Sequence, residues 1–435
     1  VTAPDTERLA PAALRDLQEE RFAAQWDHVR RRSAFYRAKL GAVCDRPLDL
    51  EGLAGIAETD KDELRASQLA AGPFGDYLAC DPDDLVRVHR TSGMTGKGMT
   101  LGFTARDAAV IAAAGARAMR AAGLRPSDRV IHCLNYQLWT GGVTDHLILE
   151  AAGATVIPFG VGNTVGLVET IRELGVTAIS CTPSYPALIE RVLRDELGLE
   201  PRDLGLRIAL FGGEAGLDDR EFRGRLEETW GFAVRNANFG LSEVLSILGS
   251  QCEHTDDLHF HAGDVVFAEI LDPATRERLP IEEGATGELV CTHLLRQAQP
   301  LVRYGCRDRV TVTGTGPCAC GRTAWRFRIA GRTDDMFNVR GVNVFPTAVR
   351  AVVAAHPRLA TGELRIELHG GGPYDRIVLR VEAARGLDPS AHGQAAAALT
   401  EAIKRSIGAS AAVTVVPYGA IERTAHKTSW IERYP

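Results

Sequence analysis

Thr91-Ser92-Gly93-Met94-Thr95-Gly96-Lys97-Gly98 gathers three glycines, three hydroxyl side chains and a lysine into eight residues. Glycines let backbone N–H groups turn toward an anion, hydroxyls add donors, and the lysine adds positive charge. The chemistry this suits is the holding of nucleotide phosphates. It is not a Walker A loop, because only two residues separate Gly93 from the Gly96-Lys97 pair, where that motif has four. A plain surface turn has the same composition. A second constellation is Cys252 and His259 followed by Cys318-Ala319-Cys320, four nitrogen and sulfur ligands spaced C-x6-H and C-x-C. A Cys₃His set leaves no open position on Zn²⁺, which means structure rather than catalysis. His254, His261, Cys291 and Cys306 are nearby alternatives, and free thiols in a β-rich region are the competing reading.

Those residues need elements to position them. Leu85-Val86-Arg87-Val88-His89 reads as a strand entering the glycine loop. Residues 7–40 have helical spacing, and 60–67 read as a capped short helix. From 105 to 230 the patterns alternate, with helices at 108–122, 141–152, 165–174 and 186–197 and strands at 129–133, 154–158, 178–182 and 206–211. Alternation of this kind indicates βαβ units around a mostly parallel sheet, whose ligands gather beyond the carboxyl ends of the strands. Gly212-Gly213-Glu214 is a turn at one such end. Short alternating strands at 264–271 and 287–292 suggest a β-rich subdomain spanning 245–330. A boundary is expected at Gly331-Arg332-Thr333-Asp334-Asp335. It divides an N-terminal domain, 1–332, from a small α+β domain, 333–435, in which Gly370-Gly371-Gly372 forms a tight loop. The expected class is α/β, with a large N-terminal domain and a small mobile C-terminal one.

Bulk composition narrows the function classes. The 435 residues are 45% hydrophobic and 24% charged, with a net charge of -6 from 50 basic and 56 acidic groups. An acidic balance argues against nucleic acid as the main partner. No apolar run of membrane-spanning length and no apolar signal core is visible, so a cytoplasmic location is the expectation. Nine cysteines read as buried thiols or metal ligands rather than a disulfide framework.

Six motifs then occur in order: the Thr91–Lys97 loop; Phe239-Gly240-Leu241-Ser242-Glu243; Arg303-Tyr304-Gly305-Cys306-Arg307-Asp308; Gly331-Arg332-Thr333-Asp334-Asp335-Met336; Arg340-Gly341-Val342-Asn343-Val344-Phe345-Pro346; and Arg423-Thr424-Ala425-His426-Lys427. The series resembles the adenylate-forming acyl-CoA synthetase superfamily, and within it the phenylacetate–CoA ligase branch. Thr140-Gly141-Gly142 and Thr182-Pro183-Ser184-Tyr185 resemble that branch too, as does Cys318-Ala319-Cys320-Gly321-Arg322-Thr323, with one change from a Cys-Pro-Cys-Gly-Arg-Thr segment.

The resemblance implies that a carboxylate attacks the α-phosphate of ATP, pyrophosphate leaves, and coenzyme A takes the acyl group. It assigns the β- and γ-phosphates to Thr91, Ser92, Gly93, Thr95, Gly96 and Lys97, and Mg²⁺ to Glu243. Gly213, Glu214 and Phe239 fall on the adenine side. Asp308 would accept from the ribose hydroxyls. Arg332 would touch ribose or phosphate beside the hinge at Asp334. Lys427 would reach the α-phosphate and carboxylate oxygens, then leave as the small domain rotates to admit the thiol. A charged turn, a helix cap or a solvated lysine is the plainer alternative at each of these positions.

The family's acyl pocket falls on Tyr136, Gln137, Trp139, Gly213 and Asn238. Trp139 offers a flat wall for a ring. Asn238 and Gln137 stand where apolar or small residues are usual, which favours a hydroxy- or amino-benzoate-like acid over phenylacetate. Met94, Gly98, Cys306 and His426 depart from the usual pattern and leave the acceptor open. An aryl-acid–CoA ligase is the main expectation. An enzyme passing the acyl group to a hydroxyl or amine is the alternative, and an inactive nucleotide-binding relative a second. A second copy of the chain is a further open partner.

Overall fold

The computed structural model describes residues 6–91, 98–214, 217, 219–333, 337–340, 342–370, 374–422 and 430–434. Local chemistry starts its helices. Thr104 accepts from the Asp107 N–H while Asp107 accepts from the Thr104 N–H, opening the helix Ala105–Ala121. Asp60 and Glu63 make the same reciprocal cap on Lys61–Ala71. Each cap satisfies donors that a helix start leaves over. The helical spacing of 7–40 resolves into two helices, Pro11–Arg32 and Ala34–Leu40, because Ser33 stops one and accepts from the Tyr36 N–H to start the next.

The first compact unit comprises Val1–Cys181, Leu204–Gly213 and Phe232–Ala330. Its centre is one sheet of twelve strands. In spatial order these are Arg278–Leu279, Val266–Leu271, Thr286–His293, Tyr304–Gly314, Arg326–Arg332, Thr255–Phe260, Leu245–Cys252, Ala233–Leu241, Ile208–Gly212, Ala178–Cys181, Arg129–His132 and Thr155–Ile157. The last five run parallel. At Leu245–Cys252 the chain turns back antiparallel on Ala233–Leu241, and the following pairs are antiparallel as well. The strands of the expected β-rich subdomain therefore extend the parallel sheet instead of building a separate one. Ala178–Cys181 and Ile208–Gly212 are buried along their whole length, as apolar runs in parallel strands must be.

The N-terminal helices form a smaller core in which Phe22, Trp26, Val29 and Tyr36 pack with Leu294 and Val302. The buried Tyr36 hydroxyl accepts from the Val302 N–H at 2.9 Å. This core anchors the segment before Lys61. The Thr59 N–H bonds to the Arg303 carbonyl at 2.8 Å, and the Gly305 N–H to the Thr59 carbonyl at 3.0 Å.

The second unit comprises Thr182–Asp203, Glu214–Gly231 and Gly331–Pro435. Its four-stranded sheet runs Ala411–Val416, Ile377–Ala383, Ala360–His369, Ile431–Tyr434. Helices Pro346–Ala354 and His392–Ile407 share its core through Val349, Val353, Leu399 and Ile403. The division falls between Ala330 and Gly331, but the unit also takes in the helices Tyr185–Val192 and Arg220–Trp230, which the sequence reading placed in the N-terminal domain. The Arg350 guanidinium lies 5.5 Å from the Phe222 ring and 4.8 Å from the Trp430 ring, tying Arg220–Trp230 to the C-terminal segment. Gly371 and Gly372 of the expected tight loop lie outside the described residues. Among the described residues no helix is long and apolar enough to cross a membrane.

Candidate active site

The site gathers at the carboxyl ends of the parallel strands. Gly212 ends its strand opposite Asn238, and a Cβ on Gly212 would stand 2.4 Å from the Asn238 Cβ, so only glycine lets the two strand ends close. Gly213 follows in the left-handed region, with φ of 80°. Phe239 turns its ring into the core, edge-on to Phe327 at 5.2 Å.

Glu243 sits at the reversal between Ala233–Leu241 and Leu245–Cys252, buried at 7% exposure. Its Oε1 is 2.5 Å from Lys61 Nζ and accepts from the Tyr304 hydroxyl at 3.5 Å. Asp308 is also buried, on Tyr304–Gly314. The Cys306 thiol is pushed well above its usual range, by burial first, then by its bond with Cys291 and the charges of Asp308 and Glu243. One buried thiol thus feels both acids. Arg303 and Arg307 hold φ of 46° and 61°, an uncommon conformation for non-glycine residues that clusters at functional sites. Lys61 was not among the residues expected here. Its only sequence signal was its place at the start of the capped helix.

A second polar group lies beside the first. The helix Thr140–Ala151 starts after Trp139, and Thr140 Oγ1 lies 2.7 Å from Ser242 Oγ. Asp145, on its buried face, accepts from Asn238 Nδ2 and from Ser246 Oγ, each at 2.5 Å. Burial outweighs both bonds and pushes its carboxyl up to about 7. Tyr136 OH lies 3.0 Å from His146 Nδ1. His132 bridges Ser180 Oγ to the Gly141 and Gly142 carbonyls, and burial presses it down to about 4, so it is neutral near pH 7. Asp145 and Ser246 were missed by the sequence reading. The available signal was the spacing of Asp145 three and four residues before the buried Ile148 and Leu149. Gln137 is exposed on its turn, so burial gives no support to it as a pocket amide.

Asp145 sets a pH dependence. Folded, it ionises near 7; unfolded, near 3.9. Between those values the folded chain keeps a proton that the unfolded chain has lost, so this group's contribution falls as pH rises and is flat above. The stability of Asp145→Asn relative to the parent should therefore increase from pH 4 to 7, by about 1.4 kcal/mol per pH unit at most. Urea titrations across that window check it. Parallel profiles would contradict it.

Thr91 closes the neck of the glycine loop. Its N–H bonds to the Met99 carbonyl at 2.9 Å, and its hydroxyl accepts from the Met99 N–H at 3.0 Å. A Cβ on Gly98 would stand 2.2 Å from the Thr91 carbonyl oxygen, which explains glycine at that position. Ser92, Gly93, Thr95, Gly96 and Lys97 lie outside the described residues, as do Asp334 and Lys427. Arg332 is half-buried. Glu214 accepts from the Ser184 N–H at 3.2 Å and from its hydroxyl at 3.1 Å, as a cap before Tyr185–Val192.

The cysteine–histidine set converges. The ligand atoms of Cys252, His259, Cys318 and Cys320 all lie within 4.8 Å of one another. Cys252 Sγ and Cys318 Sγ are 3.8 Å apart, and Cys320 Sγ is 3.7 Å from His259 Nε2. A tetrahedron with Zn–S of about 2.3 Å has edges of about 3.8 Å, so the cage suits that ion. Of the alternatives, His261 holds Glu7 at 3.0 Å through Nδ1, and Cys291 and Cys306 lie in the core. The His254 N–H donates to Cys252 Sγ at 3.3 Å. All nine cysteines are free of disulfides.

The family described as AMP-binding enzyme matches residues 16–293, and the AMP-binding enzyme C-terminal domain matches 341–432. Phenylacetate-coenzyme A ligase of Thermus thermophilus is 37% identical, covering 87% of this chain and 83% of that one. Its counterpart from Pseudomonas putida is 35% identical over 95% of this chain and 93% of its own length. A crystal structure of 2-hydroxyisobutyryl-CoA ligase in the postadenylation state superposes with a TM-score of 0.90 at 29% identity, covering 99% of this chain and 91% of that one. The chain belongs to the adenylate-forming acyl-CoA ligase superfamily, close to the phenylacetate–CoA ligases, and is an AMP-forming enzyme of the acyl-CoA ligase type.

Proposed function

We propose that the enzyme activates an aromatic carboxylic acid with a polar ring substituent as its acyl-adenylate and transfers the acyl group to coenzyme A. The observation that carries the polar-substituted part is the Asn238–Asp145–Ser246 group, with Asn238 at the carboxyl end of its parallel strand. Similarity to phenylacetate–CoA ligases supports a ring-bearing acid.

In the first step a carboxylate oxygen of the acid attacks the α-phosphorus of ATP, and pyrophosphate leaves. Positioning and charge compensation carry such a step. Glu243 fits Mg²⁺ as a buried, acceptor-only oxygen donor, although the ion would have to displace the Lys61 ammonium from Oε1 or bind through Oε2. Bound there, the ion would neutralise phosphate charge. The loop from Thr91 to Lys97 holds the β- and γ-phosphates, with Thr91 fixing its neck. Asp308 takes the ribose hydroxyls, and Phe239 and Gly213 border the adenine. Glu214 holds its turn through Ser184. Lys427 serves adenylation and then withdraws with the domain 333–435, about a hinge at Asp334 beside Arg332. In the second step the thiol attacks the acyl carbonyl and AMP leaves. Zn²⁺ held by Cys252, His259, Cys318 and Cys320 would be structural, because four protein ligands would leave it no open position. Nine cysteines with no disulfide among them suit a reducing, cytoplasmic setting.

ATP–pyrophosphate exchange over a panel of aromatic and aliphatic acids, then product analysis with and without coenzyme A, tests the reading. The expected result is strongest exchange with a hydroxy- or amino-benzoate and a thioester only with coenzyme A. Best turnover with an aliphatic acid or phenylacetate, or exchange with no thioester, overturns it.

A further inference from the structure

We propose that Asp145 and Ser246 lock the Asn238 amide with its carbonyl oxygen left for the ligand, so that the site selects ring substituents that donate a hydrogen bond. This rests on the aryl-acid reading above and narrows it from polar substituents to N–H and O–H donors.

The NH₂ group of Asn238 donates to Asp145 Oδ2 at 2.5 Å, the arrangement that the ionised carboxylate, an acceptor only, requires. The other carboxylate oxygen accepts from Ser246 Oγ. Asp145 is 1% exposed, so it has no water to turn toward in place of Asn238. Ser246 stands on the antiparallel strand Leu245–Cys252 and Asp145 on the helix Thr140–Ala151, so the carboxyl that holds the amide is itself fixed from a second element. The Asn238 carbonyl oxygen, by contrast, makes no bond among the described residues, and its residue is half-buried. An amide fixed at its donor end and open at its acceptor end calls for a donor.

Its surroundings identify where that donor would come from. Asn238 pairs with Gly212 at the mouth of the parallel sheet, where the helix carrying Asp145 begins with Thr140 against Ser242, next to Glu243. Burial with no charged partner among its hydrogen bonds raises the Asp145 carboxyl, so this group is held at a cost in solvation. An apolar pocket would need none of the three groups. A methoxy substituent would set an oxygen lone pair against the Asn238 carbonyl, and an unsubstituted ring would leave that oxygen unpaired.

Exchange kinetics with matched hydroxy-, amino-, methoxy- and unsubstituted benzoates test the inference. For the best ring position, the parent should prefer the donor-bearing acid over its methoxy counterpart by about 10- to 100-fold in kcat/KM. Asn238→Leu should bring the ratio near one. Asp145→Asn, whose own amide can donate to Asn238 and turn it round, should lower the ratio mainly through KM, with kcat on the donor acid largely kept. Where a single change unfolds the protein, Asp145→Ala/Asn238→Leu removes both partners together, which keeps the fold more readily than orphaning one. That variant should prefer the unsubstituted ring. An unchanged ranking in folded Asn238→Leu or the double variant overturns the inference alone, as does a parent that prefers the methoxy acid. A parent that exchanges with no aromatic acid overturns the aryl reading and this inference with it.

Discussion

Glu243→Gln should lower acid-dependent ATP–pyrophosphate exchange by about 10²- to 10³-fold and leave the fold intact. The amide keeps the size and hydrogen-bonding reach of the carboxylate but not its charge. Glu243 is buried between Lys61 and Tyr304, so glutamine can still accept from the Tyr304 hydroxyl and from Lys61. What is lost is the negative oxygen that offers a divalent cation a partner beside the phosphates. The loss should therefore be partly recovered at high Mg²⁺, with a raised KM for MgATP, while circular dichroism and thermal melting stay near the parent. Exchange within threefold of the parent at low Mg²⁺ would remove Glu243 from the reaction. Lys61 then becomes the informative neighbour, since its ammonium already occupies the position a cation would take against Oε1.

Protein purified without chelator should contain one zinc per chain, and Cys320→Ser should abolish it and lower Tm by roughly 10 °C or more. Structural zinc contributes to folding directly, and serine is a poor replacement for a thiolate. The cost extends past the cage because the turn holding Cys318 and Cys320 also holds the N-terminal segment. Arg322 Nε donates to Glu7 at 2.8 Å, and Thr323 donates to the carbonyls of Glu7 and Leu9. His261 and Arg322 bonds hold the Glu7 carboxyl at about 2 against the opposing pull of burial. Elemental analysis and limited proteolysis check both parts. The variant should release its zinc and be cut near Thr6–Arg8 sooner than the parent. Equal zinc content in parent and variant, or none in the parent, would falsify the assignment.

Much of the fold was legible before any coordinates. The strand expected at 129–133 lies at Arg129–His132, and the helix expected at 165–174 lies at Thr164–Leu174. The cap expected at residue 60 is made by Asp60. These are local matters of periodicity and capping, which a short window of residues carries. The family was legible for a related reason, since several ordered motifs survive even where single members change, as at Met94. The joining of parallel and antiparallel strands into one sheet was not legible. It depends on how Leu245–Cys252 folds back on Ala233–Leu241, and both alternatives share the same strand pattern.

The sequence by itself determined the class of fold and the superfamily, and it named the candidate residues for a nucleotide or a metal, because residue type and short spacing encode these. Tertiary structure alone decided which of eight cysteine and histidine candidates converge, namely Cys252, His259, Cys318 and Cys320. It decided that Lys61 neutralises Glu243, and that Glu214 spends its carboxylate on Ser184. It also turned Asn238 from one of two added amides into the held end of a network with Asp145, while leaving Gln137 exposed. The physical reason is common to all of these. Burial, and the partners it forces on a polar group, depend on chain segments far apart in sequence, and desolvation has no signature in a local stretch of residues.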